Sequence, residues 1–322
     1  MDLKWISIMG EFTQEKSDII FHGKEILFQD VPQGSVGNFI CNEHFAGGTI
    51  EADFLFEELD KNSACELILY YDPARVALLT AGLGGLGANF SIRFFGGEKW
   101  DILSWKGDKA NLTKGQNYHV KATLIGSTIK LSVNGVDVSS AALPVPLPQS
   151  QVGLWCQSTS NIQIKNYKVI GVRPKVFVVM EFNSPYNEIY SDVIKRIAEE
   201  FGVDTIRADE TFGPGIILAD IVRQITESKA IIAEITPANP NVYYEVGYAH
   251  ALAKPTILVA DKSTKLPFDV SPFRVLFYEN TIAGKSRFED GLRKHLTAIL
   301  TPGKIPAPQD VKSDTGKKLK SR

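Results

Sequence analysis

The chain has 322 residues, of which 44% are hydrophobic and 22% charged, and its net charge is -2 at pH 7. This composition is typical of a globular protein and excludes an intrinsically disordered chain or a disulfide-rich scaffold. The balanced charge gives no reason to expect nucleic-acid binding, and no stretch approaches the roughly 20 apolar residues that cross a bilayer. The start lacks a basic region and a long apolar core, so we expect a cytoplasmic protein without a secretory signal.

Three cysteines, Cys41, Cys65 and Cys156, are isolated in apolar, strand-like segments. They form no Cys-x-x-Cys pair and have no histidine at metal-binding spacing. We therefore predict free, buried or half-buried thiols, no metal site and no resident cofactor.

The first half of the chain alternates apolar and polar residues. At 48–59, Ile50, Ala52, Phe54 and Phe56 share one side, which is the period of a half-buried strand. Asn134-Gly135 between two such runs predicts a two-residue hairpin. With no long helical segment, this half is predicted to be an antiparallel β-sandwich or barrel. The predicted strands span residues 48–59, 65–71, 75–81, 89–95, 118–125, 128–133, 152–157 and 162–170.

Residues 118–123 (Tyr-His-Val-Lys-Ala-Thr), 129–136 and 152–155 (Val-Gly-Leu-Trp), with the closing strand at 162–169, carry a resemblance. This half resembles the concanavalin-like jelly rolls, the group of laminin-G, pentraxin and related lectin or glucanase domains. The resemblance implies an all-β antiparallel jelly-roll sandwich over residues 1–172. It also implies a recognition role, with a glycan or protein ligand, or a role in assembly.

Beyond residue 172 short apolar runs alternate with helical patterns. Strands are expected at 176–180, 203–206, 230–235, 256–260 and 274–278, and helices at 186–201, 215–228, 241–253 and 286–300. Parallel strands connected by helices imply a five-stranded doubly wound α/β domain of flavodoxin-like type over 173–302. Residues 303–322 carry five Lys and one Arg against two Asp, a net charge of about +4, and are predicted to be a disordered basic tail.

In open parallel sheets, ligands bind beyond the carboxyl ends of the strands. The loop and helix at 236–253 follow the third strand there, with Asn239 as a helix N-cap and Pro240 at the first helical position. Glu245 lies near the start of this helix, beside its buried stripe, where helix amides favour a carboxylate. The spacing alone leaves open a functional carboxylate in the cleft or an ordinary solvated helix residue.

The segments Asn239-Pro240-Asn241-Val242-x-Tyr244-Glu245-x-Gly247-x-Ala249-His250-Ala251, 176–182 and 206–209 resemble the nucleoside 2-deoxyribosyltransferase-like and TIR-like nucleotide-binding superfamily. The resemblance implies that Glu245 attacks or stabilises the anomeric carbon while an N-glycosidic bond breaks. It implies cleavage of a nucleotide or nucleoside, with NAD as the expected substrate, and a defence-effector role. The sequence departs from this superfamily in two ways that argue against a true transferase. The third strand ends in Glu234, where related sequences commonly carry Asp. The additional aspartates that deoxyribosyltransferases use cannot be matched by position.

Side chains around the same loops complete the predicted site. Asp209 would hold a ribose hydroxyl or a base, and Asn239 and Asn241 would bind hydroxyls or only cap the helix. Phe182 and Tyr186 would stack on a base or merely line the wall, and Tyr244 and Tyr248 would add aromatic faces and hydroxyls. Some related domains act only as filaments, so a homo-oligomer is expected.

Other interpretations remain open at this stage. Glu245 would only contact ribose in a non-catalytic nucleotide sensor. In a jelly-roll glycosidase, Glu51 and Asp53 would form the acid pair, and Trp5, Trp100, Trp105 and Trp155 a sugar platform. The run 82–87 matches GxGxxG, but a strand follows it, so a hairpin turn is predicted there.

Overall fold

The structure, a computed structural model, describes residues 3–85, 89–108, 111–143, 147–210, 217–268, 270 and 272–300. The predicted tail at 303–322 and part of the glycine-rich run at 82–87 lie outside these residues.

Within the described part of the N-terminal half, the chain forms fifteen strands. They are β1 (Trp5–Met9), β2 (Phe12–Glu15), β3 (Asp18–Phe21), β4 (Glu25–Phe28), β5 (Val31–Phe45), β6 (Gly48–Phe56), β7 (Ala64–Asp72), β8 (Ala77–Gly84), β9 (Phe90–Gly96), β10 (Trp100–Lys106), β11 (Asn117–Ile125), β12 (Thr128–Val133), β13 (Val136–Ala142), β14 (Ser150–Ser158) and β15 (Ile162–Gly171).

These strands make two antiparallel sheets. Sheet A has the order β1-β5-β14-β7-β8-β9-β10, with β4 also paired to β5, and sheet B has the order β13-β12-β11-β6-β15-β3-β2. The inner sides of both sheets share one apolar core. The predicted antiparallel sandwich is therefore present, and the alternation in β6 is confirmed: Ile50, Ala52, Phe54 and Phe56 are fully buried.

The predicted hairpin at Asn134-Gly135 connects β12 and β13, with φ of 50° and 80° at the two turn residues. Both values lie in the left-handed region that this turn requires. The turn predicted at 82–87 is only partly correct, because β8 continues to Gly84. Gly82 is needed within the strand, since a Cβ there would lie 2.5 Å from the Cys65 carbonyl oxygen of β7.

The C-terminal half contains a five-stranded parallel sheet with helices on both sides, as predicted. The elements of this half are β16 (Lys175–Val179), α1 (Tyr186–Ile189), a π-helical segment (Tyr190–Lys195), α2 (Arg196–Glu200), β17 (Asp204–Arg207), α3 (Ile217–Glu227), β18 (Ala230–Glu234), α4 (Pro240–Ala251), β19 (Thr256–Asp261), β20 (Val275–Tyr278) and α5 (Ile282–Leu300). The strand order β17-β16-β18-β19-β20 places a topological switch between β16 and β18.

Helix α5 begins four residues before the position predicted from periodicity, at Ile282 rather than 286. Thr281 caps the helix at this earlier start. Its Oγ1 accepts a hydrogen bond of 2.9 Å from the amide of Gly284, which satisfies a free N–H of the first turn.

The two halves meet at the amino edge of the parallel sheet. The Lys229 ammonium, next to β18, donates a 2.8 Å hydrogen bond to the carbonyl oxygen of Leu147 in the sandwich. Gly126, in the turn between β11 and β12, has φ of 61°, and a Cβ there would lie 2.6 Å from the Thr226 carbonyl oxygen of α3. The turn and the end of α3 are thus in close contact.

Candidate functional site

The outer side of sheet A, opposite the sandwich core, carries a polar and aromatic cluster that we call the aromatic face. Strand register places Asn38, Trp155 and Glu66 in one row across β5, β14 and β7. Ser91 and Arg93 of β9 project to the same side, two strands away from Glu66. The faces of the strands alternate, so these side chains point away from Cys65, Leu67 and the core.

A buried ion pair lies at the centre of the aromatic face. Arg93 Nη2 lies 2.6 Å from Glu66 Oε2, and the Ser91 hydroxyl donates a 2.5 Å bond to Glu66 Oε1. Glu66 is fully buried and Arg93 is 2% exposed. Removing two charges from water carries a large desolvation penalty. This buried pair is stable only because its short contacts and additional hydrogen bonds offset that penalty.

Two tryptophans enclose the guanidinium. Arg93 Cζ lies 4.2 Å from the ring centroid of Trp100 and 4.7 Å from that of Trp155, within cation–π range. The two rings meet edge to face at 5.4 Å. Trp105 adds an exposed indole on the strand that carries Trp100. Of the four tryptophans considered for a sugar platform, Trp5 lies elsewhere, because it stacks on Phe39 against the core cluster.

Polar atoms without a protein partner lie on the aromatic face. Among the residues that the structure describes, Asn38 Oδ1 and Thr80 Oγ1 are buried and have no hydrogen-bond partner. Asn38 neighbours Trp155, and Thr80 neighbours Arg93. Buried polar atoms are nearly always paired, so two orphans beside aromatic rings indicate groups that a ligand or ordered water satisfies.

A second candidate site, the Glu245 cleft, lies at the carboxyl edge of the parallel sheet, beside the topological switch. It has a volume of about 890 Å³. Five of the predicted site residues line it: Phe182, Asp209, Asn239, Asn241 and Tyr244, together with Glu245 itself. Glu181 and Asn183, which follow β16, also line it and were not assigned a role from the sequence.

Glu245 is nine-tenths buried, with 9% of its surface exposed. Within the described part of the chain it has no hydrogen-bond or ion-pair partner, and burial alone raises its pKa to about 7. An acid of this kind changes protonation near neutral pH, so it serves as a hydrogen-bond donor and as an acceptor under the same conditions.

The other polar groups of the cleft are tied to one another. Asn239 caps α4 by accepting a 2.9 Å bond from the Asn241 amide, and its Nδ2 donates to Glu181 at 3.1 Å. Arg207 holds Asp209 through two bonds of 2.6 and 2.7 Å and stacks on the Phe182 ring at 5.2 Å. Asn239 therefore caps its helix, as the alternative interpretation held, while its amide also contacts the cleft.

Two predicted site residues lie elsewhere. Tyr186 lines a separate cleft of about 300 Å³ on the opposite side of the sheet, with Thr236 and Tyr278. Tyr248 is half-buried against the apolar core under α4 and does not line the Glu245 cleft. Helix geometry explains the second case, because residue 248 lies three positions after 245 and one turn further from the cleft.

Glu234, where the sequence departs from its resemblance, is fully buried at the end of β18. Its Oε1 accepts hydrogen bonds from the Thr236 hydroxyl and, at 3.1 Å, from Tyr278, and burial raises its pKa. It therefore acts within the fold rather than at the surface of either cleft.

The proposed glycosidase pair Glu51 and Asp53 is on the outer side of sheet B. Asp53 binds His119 at 2.7 Å and Asn166 at 2.7 Å, and Glu51 lies 4.0 Å from Lys168. These are partly exposed ion pairs along a strand, and their alternation is that of the polar outer side of a half-buried strand. Among the described residues, no group of three or more His, Cys, Asp or Glu is placed to hold a metal ion.

Known structures that are similar to this chain match its N-terminal half, the sandwich. No protein-family profile and no curated protein matches the sequence. A carbohydrate-binding module, CBM66 of Bacillus subtilis, is 13% identical over 51% of this chain and 92% of its own, with a TM-score of 0.43. A Bacillus licheniformis β-glucanase is 12% identical over 52% of this chain and 93% of its own (TM-score 0.36). A Bacillus subtilis protein with a galectin-like fold is 15% identical over 51% and 87% (TM-score 0.39).

These matches correct the function predicted from the sequence. Cleavage of a nucleotide or nucleoside N-glycosidic bond is contradicted, because the similar structures are a carbohydrate-binding module, glucanases and glycosidic hydrolases. Nothing supports the TIR-like or deoxyribosyltransferase-like resemblance, NAD as substrate or a defence role. The prediction rested on a short motif around Glu245, and a motif of this length does not by itself establish a chemistry. No helix within the described ranges is long and apolar enough to cross a membrane.

Proposed function

We propose that the sandwich domain binds a carbohydrate on the aromatic face of sheet A. The observation that carries the proposal is the cluster itself, in which Trp100 and Trp155 flank a buried Arg93–Glu66 pair. Sugar rings stack their C–H faces on indoles and use hydroxyls as both donors and acceptors. The Asn38 Oδ1 atom, which has no protein partner, is an acceptor of the kind that sugar hydroxyls satisfy.

The central strands of the face are better suited to binding than to hydrolysis. Glycosidases use two carboxyl groups on opposite sides of the scissile bond. The central strands β7, β8, β9 and β14 carry two acids, Glu66 and Asp72. Asp72 accepts a bond from the Ala74 amide in the turn after β7, and Glu66 is neutralised by Arg93. Neither is available as a general acid or nucleophile.

Affinity electrophoresis in gels with neutral and acidic polysaccharides tests the proposal. The full chain is expected to be retarded by at least one polysaccharide and to release no reducing ends from it. Asn38→Ala should lose most of the retardation while keeping its thermal stability, because it removes an atom without a protein partner. No retardation by any polysaccharide, or equal retardation of Asn38→Ala, would contradict the proposal.

We further propose that the Glu245 cleft binds a small hydroxylated molecule. The unpaired, buried carboxyl of Glu245 supports this, because a desolvated acid without a partner is unfavourable unless a ligand pairs with it. Asn241 and Asp209 line the same cleft and suit hydroxyl groups.

A thermal-shift screen of monosaccharides and polyols on the full chain tests the cleft. The Asn38→Ala background removes binding at the aromatic face, so any remaining shift reports the cleft. A ligand that stabilises this background should lose its effect when Glu245→Gln is added. Persistence of the shift in that double variant, or no stabilising compound at all, would count against a ligand role for Glu245.

A further inference from the structure

Two of the three cysteines form an unrecognised pair beneath the aromatic face. Cys65 of β7 and Cys156 of β14 are directly opposed in the antiparallel register. Their sulfur atoms lie 3.7 Å apart, and both side chains are fully buried in the sandwich core. Cys41, the third cysteine, lies on β5, where Cys156 is opposed by Gly37 instead. The structure contains all three as free thiols, which confirms the prediction from the sequence.

The backbone around the pair already has the spacing of a disulfide. Directly opposed residues of antiparallel strands have Cα atoms about 4.5–5.5 Å apart. Disulfides join Cα atoms about 4.4–6.8 Å apart, so closure needs side-chain rotation and little strand movement. The two positions are 91 residues apart in the sequence, so the bond would close a long loop.

We propose that Cys65 and Cys156 are a site of disulfide formation, closed by exchange with a small-molecule disulfide while the sandwich folds. Each thiol gives up its hydrogen, one S–S bond forms between the two sulfurs, and the S–S bond of the small disulfide is broken to yield two small thiols. The exchange has to occur during folding, because the folded core excludes the small-molecule disulfide. Burial also raises the pKa of Cys65 well above its ordinary value, so little of the reactive thiolate exists in the folded state.

The two cysteines lie directly beside two residues of the aromatic face. Glu66 follows Cys65 and Trp155 precedes Cys156, and these two residues are also opposed across the same pair of strands. A bond between the cysteines would therefore fix the separation of β7 and β14, the strands that present Glu66 and the Trp155 indole.

Refolding of the full chain from denaturant tests the inference, with reduced glutathione alone or with a mixture of reduced and oxidised glutathione. Each product is then denatured, alkylated and mapped by mass spectrometry. After oxidative refolding we expect one alkylated cysteine, Cys41, a linked peptide pair containing Cys65 and Cys156, and a Tm about 5 °C or more above the reduced form.

Two cysteine variants show which thiols form the link. Cys41→Ser should still form the link, because the third thiol takes no part in it. Cys156→Ser should leave the remaining thiols alkylated after either refolding. Three alkylated cysteines in the oxidatively refolded wild type, or a link that includes Cys41, would overturn the proposal.

Discussion

Two buried glutamates of this protein have opposite surroundings. Glu66 accepts bonds from Arg93 and Ser91, so its charge is compensated inside the sheet. Glu245 has no partner within the described residues, and its pKa is raised to about 7. A compensated acid stabilises a local structure, whereas an uncompensated acid makes the fold depend on its protonation state.

Replacement of Glu245 by Gln should remove a pH dependence of stability. The folded state holds the Glu245 proton up to about pH 7, whereas the unfolded chain releases it near the ordinary value of 4.5. The folded protein therefore loses stability as pH rises from about 4.5 to 7, by at most ~3 kcal/mol. Urea unfolding of Glu245→Gln at pH 5 and pH 8 should show a smaller loss than wild type. An equal loss in both proteins would show that Glu245 is not the titrating group.

Removal of one partner of the buried ion pair should be strongly destabilising. Glu66→Gln leaves the Arg93 guanidinium charged and without a carboxylate in a dry environment. Loss of one partner from such a pair costs about 3–5 kcal/mol. Chemical denaturation should show a correspondingly lower midpoint, and Asp53→Asn, at a partly exposed pair on sheet B, is the matched control. A change below about 1 kcal/mol for Glu66→Gln would mean that water reaches the pair.

At the level of elements, local patterns predicted most of the fold. The alternation of apolar and polar residues predicts β6, and Asn134-Gly135 predicts the hairpin. The spacing of apolar residues in each half predicts the sandwich and the parallel sheet. Strand order and the partners of Glu66 and Arg93 depend on residues far apart in sequence, so no local pattern reveals them. The one available signal was a charged residue inside each of two otherwise apolar strands, which predicts a buried pair.

The same limit applies to the candidate sites. Asp209, Asn239, Asn241 and Glu245 were expected together because strand ends of a parallel sheet converge, and the structure brings them to one cleft. Tyr186 lies on the opposite side of the sheet, because the path of the chain after β16 is not visible in the local sequence. Tyr248 lies on α4 itself, one turn beyond Glu245, and so faces the apolar core rather than the cleft. The sequence offers Trp100, Trp105 and Trp155 for a sugar platform, but not Asn38, Glu66, Thr80 or Arg93, because the members of the aromatic face come from six strands.

Helix α4 should depend on its N-cap. Asn239→Ala removes the bond to the Asn241 amide and also the bond to Glu181. Loss of an N-cap costs about 1 kcal/mol. Chemical denaturation should show this decrease, and Asn239→Ser, which keeps a capping oxygen without placing a second carboxylate beside Glu181, should recover most of it. Full stability of Asn239→Ala would indicate that the helix is held by packing alone.

At the scale of the whole molecule, buried lysines lie where the sandwich meets the parallel sheet. Lys229 donates to Leu147 across the junction, and Lys254 donates to the Ser228 carbonyl near the end of α3 at 3.1 Å. Burial lowers the pKa of both to about 8. Helix α3 also reaches the Glu245 cleft through Leu218 and Ile221, so one helix contacts both the junction and the cleft.

These lysines predict a gain of stability at alkaline pH. Below about pH 8 the folded state must keep each buried ammonium charged, and this cost disappears as pH rises from about 8 towards the ordinary value of 10.5. Lys229→Met should roughly halve the rise in free energy of unfolding over this range, since Lys254 still titrates. The exposed Lys195→Met should leave the rise unchanged. A rise of the same size in Lys229→Met would refute the assignment.

The central claim is that the aromatic face of sheet A binds a saccharide. Isothermal titration calorimetry of the full chain with the saccharide identified on gels measures this directly, with Trp100→Ala as the test and Phe28→Ala, an exposed aromatic on the β4–β5 hairpin, as the control. We expect a Kd at least about tenfold weaker, or ~1.4 kcal/mol, in Trp100→Ala and an unchanged Kd in Phe28→Ala. Wild-type affinity in a folded Trp100→Ala variant would contradict the account.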